Sequence, residues 1–128
     1  MTLLLDTQLL LWIAAEPARI PPAARALLEV PVNEFAFSAA SVWEVAIKRG
    51  LRRRSFLVEP DRFRDGLLNN GLAEVPITSA HAVAVRSLPL LHKDPFDRIL
   101  LAQAIVEGFS LVTTDLQMRQ YNAPIYAV

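Results

Sequence analysis

Asp6, Glu44, Asp97 and Asp115 are the side chains of this sequence best placed to do chemistry. Each stands where an apolar run gives way to a polar turn, or on a helix just after such a run. If the runs are neighbouring parallel strands, the four carboxylates meet. Crowded carboxylates repel one another and raise each other's pKa, a cost that a divalent cation removes. Mg²⁺ takes octahedral oxygen ligands, keeps several waters and binds through one or two carboxylates plus phosphate oxygens. An ion held this way positions water for in-line attack on a phosphodiester, so metal-assisted hydrolysis of a nucleic-acid backbone is the chemistry this set predicts.

Each acid also has a plainer reading. Asp6 can cap the helix that follows it. Glu44 and Lys48 stand four apart in the favourable order for a helical ion pair. In HKDPFDR, Asp94 makes a good helix cap with Pro95 as first helical residue, and Asp97 falls at the third position of a capping pattern. Asp115 can close a turn. The joint occurrence favours a shared site over four separate coincidences.

The elements that must bring these residues together are legible in the hydrophobic pattern. Thr2 to Leu5 reads as a strand ending at Asp6, and Thr7 to about Ala15 as a helix stopped by Pro17. Pro21 and Pro22 open a second helix through Leu28. Phe35 to Ser38 is a buried strand, Ala39 to Arg49 a helix with Gly50 as its cap, and Asp61 to Asn70 a helix ending at Gly71. Leu72 to Ile77 follows as a strand, Ser79 to Leu88 as a helix capped by Ser79, and Pro95 to Glu107 as a helix ended by Gly108. Ser110 to Thr113 and Ile125 to Val128 are the remaining strands. This alternation implies right-handed crossovers and a mainly parallel sheet covered on both faces. In such sheets ligands bind beyond the carboxyl ends of the strands.

Composition narrows the class. With 128 residues, 53% of them hydrophobic, the chain suits one compact domain over residues 1–128. The absence of cysteine excludes thiolate zinc and disulfide scaffolds and fits a reducing cytoplasm. An Asp inside the apolar N-terminal stretch argues against a signal peptide or membrane span. A mean hydropathy of +0.32 is high for a small soluble monomer and predicts a homodimer or a dedicated partner. Zero net charge does not announce a nucleic-acid binder, yet the run KRGLRRR from Lys48 to Arg54 gathers a basic lobe beside the acids. Lys48, Arg49, Arg52, Arg53 and Arg54 are therefore candidates for phosphate contact. No Ser-His-Asp arrangement or phosphate-cradling Gly-rich loop accompanies them, the chain having only four glycines.

The opening LLLDTQLLLW, the helix SAASVWEVAIKRG, the segment LPLLHKDPFDRILLAQAIVEGFSLVTTD and the short apolar tail together resemble a PIN-domain ribonuclease of the VapC toxin family. The resemblance spans essentially the whole chain. It implies a three-layer α/β/α, Rossmann-like PIN fold with a mainly parallel central sheet. It also implies Mg²⁺- or Mn²⁺-dependent endoribonuclease activity on tRNA- or rRNA-class substrates, in a toxin inhibited by a cognate antitoxin.

Under it the catalytic acids are Asp6, Glu44, Asp97 and Asp115, with Asp6, Asp97 and Asp115 on the metal. Thr7 and Thr113 are the accompanying hydroxyls, Asp94 is a supporting or alternative ligand, and His92 and Lys93 are candidates for substrate contact, although each of these last three is more often structural in a loop of this kind. Gln8 stands where many members carry Asn or His. The acidic pocket and surplus apolar surface further predict an antitoxin that inserts a Lys or Arg among the carboxylates. The competing classes are a non-catalytic PIN-like interaction module and a receiver-type Mg²⁺-binding signalling domain. The receiver reading requires a phosphoacceptor Asp ending a central strand, and Phe35 to Ser38 ends without one.

Overall fold

The computed structural model describes residues 1–51 and 56–128. Its centre is a wholly parallel five-stranded sheet in the order β3-β2-β1-β4-β5, built from β1 (Thr2–Leu5), β2 (Glu34–Ser38), β3 (Ala73–Val75), β4 (Ser110–Thr113) and β5 (Ile125–Ala127). The helices are α1 (Thr7–Ala15), α2 (Pro22–Leu28), α3 (Ala39–Gly50), α4 (Pro60–Asn69), α5 (Ser79–Val85) and α6 (Pro95–Glu107), with short 3-10 turns at Pro17–Arg19 and Leu116–Gln120.

Strand periodicity divides the core into two apolar layers. Leu3 and Leu5 of β1, Phe37 of β2 and Val112 of β4 face one layer, where Leu9, Leu10, Ala24, Phe63 and Leu67 pack from α1, α2 and α4. Leu4, Ala36 and Leu111 face the other, filled by Leu100, Leu101 and Ala104 of α6 together with Met118 and Tyr121. The result is the predicted three-layer α/β/α arrangement. Apolar residues on both faces of each central strand are what a doubly covered sheet requires.

The chain moves outward from β1 through β2 to β3 and then returns to pair β4 on the other side of β1. The point of reversal lies between β1 and β4, where the crossovers diverge and leave a crevice. Asp6 is the first residue beyond β1 at that point, and its N–H donates to the Val112 carbonyl at 2.9 Å.

Several predicted boundaries shift. Helix α5 is capped by Thr78 and not by Ser79: the Thr78 hydroxyl accepts from His81 N–H, and His81 Nδ1 accepts from Thr78 N–H at 3.0 Å, a capping box with histidine in the acid's place. Helix α5 also stops at Val85, short of Leu88, with Arg98 of α6 donating to the Val85 and Leu88 carbonyls. Gly50 is the last residue of α3, followed by right-handed Leu51, and is not a left-handed cap. Gly71 and Gly108 do adopt positive φ, 84° and 72°. Strand β3 is shorter than the predicted Leu72 to Ile77, and β5 ends at Ala127. Among the described residues no helix is long and apolar enough to cross a membrane.

Candidate metal centre

Four short junctions aim the acids. Asp6 caps α1, its Oδ1 accepting from Leu9 N–H at 2.9 Å. Its Oδ2 accepts from Thr113 Oγ1 at 3.0 Å, Thr114 N–H at 2.8 Å and Thr114 Oγ1 at 3.2 Å, so β4 holds the carboxylate from the far side. Ser38 ends β2 and caps α3 by accepting from Ala40 N–H, which starts the helix at the strand's end and carries Glu44 to the same rim. Thr7 Oγ1 lies 2.8 Å from Glu44 Oε1 and 2.9 Å from Ser41 Oγ. With one proton, that hydroxyl donates to the carboxylate and accepts from serine. Asp94 caps α6 through Phe96 N–H, placing Asp97 in the first turn, where the positive helix end favours an anion. Asp115 follows β4, its N–H donating to Thr113 Oγ1 and its Oδ1 accepting from Gln117 N–H.

These residues line one open cavity of about 150 Å³, walled by Asp6, Thr7, Gln8, Glu44, Lys48, Asp94, Asp97, Thr114 and Asp115. The structure thus brings all four predicted acids together, with Asp94 beside them. The plainer readings hold as well, since Asp6, Asp94 and Asp115 do cap helical turns and Glu44 does pair with Lys48, Oε2 to Nζ 2.9 Å. Asp94 and Asp115 each cap with Oδ1 alone, whereas both oxygens of Asp6 accept hydrogen bonds, so a ligand of Asp6 shares an oxygen with those donors.

The electrostatics are those of an acidic site that is compensated only in part, Lys48 pairing Glu44. Burial pushes the Asp6 carboxyl above the usual carboxylate range, against the downward pull of hydrogen bonds from Leu9, Thr114 and Thr113. The Asp97 carboxyl is pushed up to about 6, by burial first and then by the charge of Asp94, with His92 pulling it down and Asp6 adding to the rise. Hard oxygen donors in excess of positive charge fit a divalent cation.

Two basic candidates are already engaged: Lys48 by Glu44, and Arg49 by Glu59 at 2.7 Å. Arg52, Arg53 and Arg54 lie outside the described residues, and Lys93 borders the adjoining hollow with Phe96. His92 belongs to the site more closely than sequence reasoning placed it. Its Nε2 stands 2.9 Å from Asp97 Oδ2 and 2.8 Å from Asp115 Oδ2. Ser41 and Thr114 also support the site, and sequence reasoning passes over both. A serine in the first turn of a helix, or a second threonine beside Thr113, carries no distinguishing spacing.

Asp6 is held by backbone donors on both oxygens, and this sets the outcome of a common substitution. In Asp6→Asn the amide oxygen satisfies only one of the Leu9 and Thr114 N–H groups, and the amide nitrogen faces the other. The variant is expected to lose roughly 1–3 kcal/mol of folding stability in urea titrations, so loss of activity there mixes two causes.

The sequence pattern of the PIN domain family matches residues 3–124. The chain is 32% identical to Ribonuclease VapC22 of Mycobacterium tuberculosis (strain ATCC 25618 / H37Rv), over 96% of this chain and 94% of that protein. Its fold is similar to that in the crystal structure of VapBC2 from Rickettsia felis bound to a promoter DNA fragment, with a TM-score of 0.74 at 15% identity over 100% of this chain and 99% of that one. It is similar also to a toxin–antitoxin complex from Klebsiella pneumoniae, with a TM-score of 0.65 at 20% identity over 98% of both chains. With the acids gathered where the sheet reverses and the match running nearly end to end, the chain belongs to the PIN-domain family, in its VapC group.

Proposed function

We propose that this chain, acting over residues 1–128 as one PIN domain, is a metal-dependent endoribonuclease and the toxin of a type II toxin–antitoxin pair. The observation that carries the reading is the convergence of Asp6, Glu44, Asp97 and Asp115 on one cavity at the sheet's reversal point. Asp6, Asp97 and Asp115 are the residues to hold Mg²⁺ or Mn²⁺. When bound, such an ion acidifies water and neutralises charge on the phosphate under attack.

The chain's own residues supply the orientation. Thr113 and Thr114 fix the Asp6 carboxylate, and Thr7 fixes Glu44 so that its carboxylate can orient water and accept its proton. Asp94 sets the start of α6 and adds its charge to the burial that raises Asp97. Lys48 and Arg49, with Arg52, Arg53 and Arg54, supply the sequence-independent attraction for a tRNA- or rRNA-class backbone.

Two hollows near the cavity suit protein partners, one of mixed lining that includes Glu16 and Arg19 and one almost wholly apolar. One hollow of about 170 Å³, lined by Leu11, Trp12, Phe56, Leu57 and Val58, adjoins the site through Gln8 and suits an antitoxin segment whose Lys or Arg enters among the acids. The other, about 350 Å³ between Trp43, Ile77, Val85, Phe96 and Ile99, suits a second copy of the chain. One structural neighbour is a toxin–antitoxin complex, which supports an antitoxin as a partner of this chain. One observation favours the competing interaction-module reading: Glu44 is paired by Lys48, and Asp97 and Asp115 by His92, so part of the acidic charge already has an internal partner.

Expression decides between them. The chain alone is expected to arrest growth and, purified, to cut RNA with Mg²⁺ or Mn²⁺ but not with EDTA. Co-expression with the neighbouring small open reading frame should restore growth and yield an inactive complex. A soluble chain that neither arrests growth nor cleaves RNA leaves the module reading standing.

A further inference from the structure

His92 is one of two histidines in the chain, and it stands in the loop before α6 with its backbone N–H donating to Tyr121 Oη at 3.1 Å. That bond fixes where the loop passes, and the side chain reaches inward. Among the described residues, His92 Nε2, an Asp97 oxygen and an Asp115 oxygen form a set whose atoms all lie within 4.8 Å of one another. The two contacts of Nε2, 2.9 and 2.8 Å, are close to the separation of neighbouring ligands on an octahedral ion. Donors at about 2.1 Å and right angles stand roughly 3.0 Å apart.

A two-centre hydrogen bond explains only one of these contacts; an imidazole N–H shared between both carboxylates is the counter-ion arrangement that the test below separates from metal ligation. A neutral imidazole with its proton on Nε2 has one N–H to aim, and one carboxylate to satisfy with it. With the proton on Nδ1, an Nε2 lone pair points at both carboxylates, an arrangement that a cation between them makes favourable.

We propose that His92 is a ligand of the metal centre, donating Nε2 beside Asp97 and Asp115, so that the site selects a first-row transition ion such as Mn²⁺ over Mg²⁺. This rests on the metal-dependent reading above and narrows it. Imidazole nitrogen binds first-row transition ions, Mn²⁺ the most weakly of them, whereas Mg²⁺ is bound by oxygen and keeps its waters. Asp6, Asp97 and Asp115 supply charge that either ion accepts, and His92 supplies the discrimination.

The test uses the full chain with Mn²⁺ alone as probe and reads spectroscopy as well as affinity. Binding of Mn²⁺ is followed by loss of the free-ion electron paramagnetic resonance signal, and its ligands by pulsed measurements that detect a coordinated ¹⁴N. Bound Mn²⁺ should show ¹⁴N coupling in the wild type and none in His92→Ala or the bulkier His92→Gln. The other histidine, His81, is fully buried between Thr78 and Glu107 and is no alternative source. Mn²⁺ affinity should fall at least about tenfold in both variants, with Mg²⁺ affinity nearly unchanged.

Bound Mn²⁺ without nitrogen coupling in the wild type overturns the proposal and leaves the metal reading intact, and so does equal or tighter Mn²⁺ binding by His92→Ala, which makes His92 a counter-ion that the metal displaces. Failure of the wild type to bind Mn²⁺ at millimolar concentration overturns both. The wild-type spectrum decides the question even if a variant folds poorly.

Discussion

Asp97→Asn is expected to lower metal-dependent RNA cleavage at least about a hundredfold while making the metal-free protein more stable at neutral pH. The two effects have one cause. Among the described residues no backbone N–H is bound to Asp97, unlike Asp6, and its carboxyl is pushed up to about 6 by burial, with the charges of Asp94 and Asp6 adding to the rise. A folded-state value above the unfolded one means that stability from this group is fully present below about pH 4 and lost as pH rises through about 6.

At pH 7 the cost is about 2 kcal/mol once solvent screening of a partly exposed group is allowed for. Asparagine keeps the shape and removes that cost, so melting temperature should become flatter between pH 4 and 7. Asp94→Asn is the companion measurement. Asparagine caps a helix as well as aspartate does, so cleavage should stay within about tenfold of wild type. A greater loss from Asp94→Asn than from Asp97→Asn would assign the third ligand to Asp94.

Metal should reverse the same penalty. At pH 7, a divalent ion at a hundredfold excess over its dissociation constant is expected to raise the melting temperature by roughly 10 °C over the EDTA-treated protein. The gain should shrink as pH falls through about 6, where protons compete with the ion for Asp97. Equal melting temperatures with EDTA and with excess metal at pH 7 would remove the basis for a shared site. A gain that does not depend on pH would place the ion away from Asp97.

The strands, the helices and the acidic set were legible because each rests on a local signal that the fold does not override. LLL before Asp6 and SLVT before Asp115 are short apolar runs that suit burial on both faces, and the Pro and Gly residues punctuate the helices between them. The misreadings arose where two similar residues stand side by side or where a familiar role is filled by an unfamiliar residue. In Thr78-Ser79 either hydroxyl can cap α5. The choice falls on Thr78 because His81, three residues on, returns the bond that an acid or amide ordinarily supplies.

The position of His92 was hidden for another reason. Its partners lie five and 23 residues further along, and only the turn after β4 brings Asp115 to it. The basic residues show both sides of this. Lys48 spends its charge on Glu44 one turn back on α3, as the spacing predicts, whereas Arg49 spends its charge on Glu59, a pairing that only the path of the chain after α3 creates.

The bond from Thr113 to Asp6 spans 107 residues, and it makes the order of synthesis matter. β1 takes the middle of the sheet between β2 and β4, and of these two neighbours β4 is made only after β2, β3 and α1 to α6. Until β4 docks, Asp6 lacks three of the four donors that hold it, and Asp115 has no place to stand. A growing chain can therefore bury much of α1 to α4 while remaining unable to cut RNA. Under the proposed function, that order keeps the acidic site incomplete while the chain is being made and gives a protein partner time to bind before the site is complete.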